Sequence, residues 1–340
     1  MGTIGRANGA VPFDTYDKTE AVSKSGEEVI TGQKTFTTPV KLEDATTTNE
    51  ACTLNQVRGF KNLIINGGFD VSQRGTSFVN GGYTLDRWLV NQVNGSVVVS
   101  TTDVRTADYW LGAKNVISLA PQNGVTAWSL LQRLEDVSTV SGKTITVSFI
   151  AAVGTGTYPL DFMQMNRAYG TGGSTSDIDV FDSGIVLTTT PTRYTITRTI
   201  PSVNGKTIGA GSYFELAFQS TLVGIGQIVY FSNIQLEEGS VATPFEQRPY
   251  GLELSLCQRY YEASDTRVEG SLNYDKTALS FTLQFKQSKR VLPSITVDRA
   301  VPSPWTPTGE DISKDAYWCF YGDVTNYWTI MGYTADAEIY

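Results

Sequence analysis

The chain has 340 residues, 40% of them hydrophobic and 18% charged, which is apolar mass enough to fill two or three compact domains. Its net charge is −8, from 26 Lys and Arg against 34 Asp and Glu, and no run of basic residues breaks the acidic background. Nucleic acid and anionic membrane are therefore poor partners. Histidine is absent, which removes histidine-based nucleophilic triads, imidazole acid–base chemistry and nearly all zinc sites.

Residues 1–60 are polar and Thr-rich, with short apolar pieces such as Val29-Ile30 and Thr35-Phe36-Thr37. They lack a core of their own. From about 60 to 246, strand-like runs alternate with Gly, Asn and Pro turns: Ser96 to Val99, Thr144 to Ile150, Ile185 to Leu187, Arg193 to Thr197, Tyr213 to Phe218 and Ile228 to Phe231. Asn66-Gly67 and Asn80-Gly81-Gly82 supply the positive φ angles that tight turns need. Such spacing predicts a mainly β fold, a β-sandwich of jelly-roll type. A short amphipathic helix is expected over residues 251–262, with Leu252, Leu256 and Tyr260 on its buried face and Glu253 in solvent. Strands resume at Ala278 to Phe285 and Ser294 to Val297, and aromatic strands close the chain around Trp318 and Trp328. The expected organisation is an N-terminal attachment and shaft segment (1–60), a sandwich domain (61–249), and a helix followed by a smaller C-terminal β domain (250–340).

Cys52, Cys257 and Cys319 are odd in number and far apart, the pattern of free thiols made in a reducing cell. No apolar stretch approaches the roughly 20 residues of a membrane span and no charged leader opens the chain, so membrane insertion is not expected. No cofactor motif is present. Ser141-Gly142-Lys143-Thr144 and Asn204-Gly205-Lys206-Thr207 imitate the end of a phosphate loop, but Val137 and Ile200 stand where its first glycine belongs, so both read as turns. Asp177, Asp179 and Asp182 offer oxygen ligands without the spacing of a calcium loop, and a solvated loop is the simpler reading. Glu237-Glu238 and Glu135-Asp136 are adjacent on strands and point to opposite faces, so neither pair can flank one glycosidic bond.

The last forty residues are unusually aromatic. They either fill a small core or subunit interface or stack on sugar rings. Trp305, among Pro302, Pro304 and Pro307, is the best exposed candidate for carbohydrate binding, with Tyr317, Tyr321 and Tyr327 beside it, while Trp318 and Trp328 are expected in the core. Metal and catalytic residues are not assigned.

Two blocks carry more. Asn233 to Glu246, with Arg248-Pro249-Tyr250-Gly251 and Leu256 to Glu262, resembles a segment recurring in tail-fibre and other appendage proteins of tailed bacteriophages. Asn62 to Asp70, with Gln73 to Phe78 and Tyr83 to Trp88, resembles the segment that opens the same β-rich module. Ile30 to Val40 is similar to the Gly-x-x-Thr-Phe stretches of phage fibre shafts. The resemblance implies a non-enzymatic virion protein made in the host cytoplasm, most simply a homotrimeric tail fibre. Its N-terminal segment would join other virion proteins, and its C-terminal domain would bind a bacterial surface glycan. A collar, neck or head decoration protein is one alternative. A polysaccharide-degrading enzyme is another.

Overall fold

Ile145, Val147, Phe149 and Ala151 alternate along the chain with Thr146, Ser148, Ile150 and Ala152, and in an extended backbone that alternation separates the two faces of a sheet. The first set enters the main core, the second covers the outer face. The computed structural model describes residues 60–221, 227–264, 268–269, 271–272, 278–299, 309–322 and 329–340, all within one compact unit. The expected segment 1–60 lies outside the described residues except for Phe60, and so does Cys52.

Two six-stranded antiparallel sheets form a jelly-roll-type sandwich. The first runs β1 (Ser77–Val79), β4 (Val97–Asp103), β5 (Asn115–Pro121), β12 (Val229–Glu238), β7 (Thr144–Val153), β10 (Thr192–Thr199). The second runs β2 (Gly82–Tyr83), β3 (Leu89–Val93), β6 (Ala127–Glu135), β11 (Tyr213–Ser220), β8 (Thr157–Ala168), β9 (Asp177–Thr188). Between them lies a continuous core that includes Trp88, Trp128, Phe149, Phe218 and Phe231. Phe218 sits 4.8 Å edge-on from Phe149 and 5.2 Å from Phe231, geometries that add to the area these rings bury.

Strands rich in β-branched residues lie where the pattern puts them. β6 and β8 were not anticipated, because Leu, Ala, Gln and Met carry little strand propensity of their own and tertiary burial supplies the preference instead; β5 was not anticipated either, although Val116 and Ile117 favour a strand. Pro159 is tolerated in β8 because β11 pairs with β8 only from Phe162 onward, so no ladder bond is lost on that side. Asp177 and Asp179 belong to β9, not to a loop.

The C-terminal part packs two small sheets. One comprises β13 (Tyr261–Ser264), β20 (Thr329–Asp336) and β14 (Val268–Glu269), with β17 (Ser294–Arg299) also pairing β20. The other runs β15 (Ser271–Leu272), β16 (Ala278–Gln284), β19 (Ala316–Gly322), β18 (Gly309–Ile312). Phe281, Leu283, Tyr317, Cys319, Tyr333 and Ala335 form their shared core. Cys257 and Cys319 are buried and form no disulfide among the described residues. Among the described residues, no helix is long and apolar enough to cross a membrane.

The two sequence blocks meet in space. The Asn62 side chain accepts from the Ile64 and Leu236 amides, both at 3.0 Å, and donates to the Ile234 carbonyl. Gly67 allows this approach, since a Cβ there would stand 2.0 Å from the Ile234 carbonyl oxygen. Arg248 donates to the Ile64 carbonyl at 3.1 Å, to the Asn62 carbonyl and to Glu253. Gln73 bridges the buried Asp86 carboxylate and the Tyr261 carbonyl. Together they form a joint between the sandwich and the C-terminal sheets.

That joint corrects the expected helix. The helix, α1, spans Tyr250–Gln258 and turns Glu253 inward, 7% exposed, where Arg248 and the Asn66 amide both donate to it. Leu252 and Leu256 stay half-buried. Two buried donors require an acceptor, and leaving them unmet costs more than half-exposing leucines. Tyr260, just beyond the helix, is buried as expected.

Candidate functional site

Every second side chain of the sandwich's second sheet faces away from the core, and the strand register assembles these residues into rows. One row runs Arg133, Glu215, Asn166, Ile178 across β6, β11, β8 and β9. The next runs Leu89, Leu131, Ala217, Gln164, Val180, and a third runs Asn91, Ser129, Gln219, Phe162. The middle of the face is apolar and closed, with Leu89, Leu131 and Ala217 in a small cluster. Polar groups surround it, and Ile178 and Val180 on the edge strand are more than half exposed.

The polar groups are connected. Gln219 donates to Gln164 at 3.0 Å, Gln164 to Glu215 at 3.4 Å, and Arg133 to the other Glu215 oxygen at 2.8 Å. The C-terminal tail fixes this relay at one end: Arg133 also donates to the Ile339 carbonyl at 2.8 Å, which Tyr83 reaches at 2.6 Å. The guanidinium lies 4.7 Å from the Tyr213 ring centroid. Burial raises the Tyr213 phenol above its ordinary pKa, so it carries its proton at neutral pH. Beside Asn91, Ser129 and Gln219 the face opens into a hollow of about 160 Å³.

One atom in this arrangement is unmet. Asn166 is 8% exposed and its side-chain oxygen, next to Glu215 in the row, has no hydrogen-bond donor. A buried amide oxygen in that state is destabilising by about 1–3 kcal/mol. Fixed amide and carboxylate acceptors, amide and phenol donors, and flanking rings at Phe162 and Tyr213 match a neutral polyhydroxylated chain better than a charged or wholly apolar one.

Other groups singled out in the sequence are engaged elsewhere. Asp177 accepts from Tyr169 at 2.7 Å and Lys206 at 3.0 Å, and Arg167 donates to Asp179. These cations take the oxygens a metal would need, and no metal-binding cluster of acids, Cys or His occurs among the described residues. Glu237 accepts from Thr243, Glu238 pairs with Lys143, Glu135 with Arg259, and Asp136 caps Ser138. Gly142 and Gly205 take left-handed turns at φ 69° and 79°.

Of the four aromatic candidates, Trp305 and Tyr327 lie outside the described residues. Tyr321 falls in β19, where only its backbone is described. Tyr317 is corrected: it is 2% exposed, its ring 6.2 Å from Phe281 and its hydroxyl donating to Glu310 at 2.7 Å. Strand alternation turns Tyr317 and Cys319 inward and Trp318 outward. Trp318, expected in the core, is therefore 40% exposed, and Trp328 lies outside the described residues. The row on the second sheet escaped sequence reading. Its local signal was the alternation Phe162-Met163-Gln164-Met165-Asn166 and Glu215-Leu216-Ala217-Phe218-Gln219.

No protein-family model matches the chain, and no curated protein matches it in sequence. Among solved structures it is similar to the enzymatically active domain of tailspike protein 4 of bacteriophage CBA120, at 16% identity and TM-score 0.36 over 53% of this chain and 22% of that one. It is also similar to the family 11 carbohydrate-binding module of Clostridium thermocellum in complex with a mixed-linked tetrasaccharide, at 15% identity and TM-score 0.30 over 48% of this chain and 95% of that one. The xylan-binding CBM22-1 domain from Paenibacillus barcinonensis matches at 11% identity and TM-score 0.33, over 53% and 96% of the two chains. This chain thus spans about a fifth of the tailspike domain, and likenesses this coarse assign no ligand to it.

Proposed function

We propose that this protein is an adhesion component of a tailed-phage virion, a fibre-type protein that holds a bacterial surface glycan on the outer face of the sandwich's second sheet. The observation that carries the glycan reading is the connected row Arg133, Glu215, Gln164, Gln219 beside the hollow at Asn91 and Ser129. It is a fixed set of mixed donors and acceptors, flanked by rings, that a sugar's hydroxyls can complete. The virion reading is supported by the two phage-appendage-like blocks, which interlock at the joint. A homotrimer is part of the proposal, because three weak sites gain avidity well beyond each alone.

The protein acts by binding, without hydrolysis. Among the described residues, the acids whose pKa burial raises, Asp86, Glu253 and Glu338, are held by Gln73, Arg248 and Arg87, whereas a glycosidase would need one free as general acid. The test is competition: soluble protein added to susceptible cells should block phage adsorption, Gln164→Ala and Gln219→Ala should block less, and no new reducing ends should appear in the cell-surface polysaccharide. Full blocking by both variants would remove the site from this face. Release of reducing ends would make the protein an enzyme.

A further inference from the structure

The opposite face of the sandwich carries a separate feature. Between β4 and β5 the chain leaves the first sheet, forms a 3-10 turn at Asp108–Trp110 and returns through Leu111 at φ 53° and Gly112 at φ 79°. These left-handed residues reverse the chain and bring Trp110 onto the sheet. Trp110 is 5% exposed, packs with Ile150 and Ala152 and meets Tyr230 edge-on at 5.9 Å. Its neighbour Tyr109 is 65% exposed, its ring 6.1 Å from that of Trp110.

Between this turn and Thr189 beyond β9 lies a cleft of about 370 Å³, within the range of roughly 300–1,000 Å³ usual for small-molecule sites. None of its lining residues is acidic or basic, so a charged ligand would lose its hydration without compensation. Ala152 and the rings of Tyr109, Trp110 and Tyr230 are apolar, while Thr102 and Thr189 bring hydroxyls. The indole N–H groups of Trp88 and Trp128 are both bonded, at 2.9 Å and 3.1 Å. That of Trp110 has no partner among the described residues.

From this geometry we infer a second binding site, independent of the second-sheet face, for a single neutral pyranose ring carrying an N-acetyl group. The ring stacks on Tyr109, its hydroxyls reach Thr102 and Thr189, the indole N–H donates to the ligand, and the acetyl methyl rests on the apolar floor.

The experiment is saturation-transfer NMR on the full chain with N-acetylglucosamine, N-acetylgalactosamine, N-acetylmannosamine and glucuronate, each at about 10 mM, the affinity range of single sugars. At least one N-acetylhexosamine should receive saturation, most strongly at its acetyl methyl, and glucuronate should not. Tyr109→Ala and Thr189→Val should each weaken that binding about tenfold, with melting temperature unchanged, and Gln164→Ala should leave it intact. Silence from all three N-acetyl sugars, equal binding of glucuronate, or undiminished binding in both cleft variants would overturn the site. Loss in Gln164→Ala would merge it with the second-sheet face and overturn its independence.

Discussion

Arg87 and Glu338 stand 251 positions apart in the chain, yet the guanidinium donates to the carboxylate with the two side chains 1% and 0% exposed. The same guanidinium lies over the Tyr260 ring, 3.5 Å from its centroid. This pair locks the end of the chain to the sandwich. Removing one member of a buried pair strands the other, at about 3–5 kcal/mol. Glu338→Ala should therefore lower stability by that much in chemical denaturation. Arg105→Ala breaks only an exposed pair with Asp103 and should change it by about 0.5 kcal/mol or less.

The helix provides a second contrast. Glu253→Ala leaves Arg248 and the Asn66 amide without their acceptor and should cost about 3–5 kcal/mol. Leu256→Ala, on the half-buried side, should cost about 1 kcal/mol. Equal denaturation midpoints for the two variants would contradict this orientation of α1.

Acid response follows from the same joint. Burial raises the pKa of Asp86, Glu253 and Glu338 above the ordinary 3.8 and 4.5. A raised folded value means that the folded state holds protons the unfolded state has released. These groups' contribution is thus complete below their ordinary values and is lost as pH rises through the folded ones. Glu135 and Asp177 shift the other way: Arg259 counters the effect of burial at Glu135, and Tyr169 and Lys206 hold Asp177 down. Their contribution is lost as pH falls below the ordinary range. The melting temperature should accordingly hold or rise from pH 7 to about 5 and decline below about 4. A steady fall from pH 7 to 5 would contradict the assignment.

Much of the sandwich was legible because β-branched alternation is a local signal, as in Thr144 to Ile150 and Arg193 to Thr197. β6 and β8 were not, since their Leu, Ala and Met residues become strands only through burial. The inward turn of Glu253 depends on Arg248 and on Asn66, which lies 187 positions away, and no helical period encodes that. Aromatic density drew attention to Tyr317, which strand alternation buries. The row on the second sheet joins Arg133, Asn166 and Glu215 from three strands, and only register brings them together.

The most direct test of the central claim is titration of purified host surface polysaccharide against the wild type and Gln219→Leu. Gln219 is half-buried, lines the hollow of the face and donates to Gln164, so the substitution should change folding stability by about 1 kcal/mol or less. Binding should weaken about tenfold, because one hydrogen bond to the glycan is lost. Unchanged affinity in a stably folded Gln219→Leu protein would contradict the assignment of this face as the glycan site.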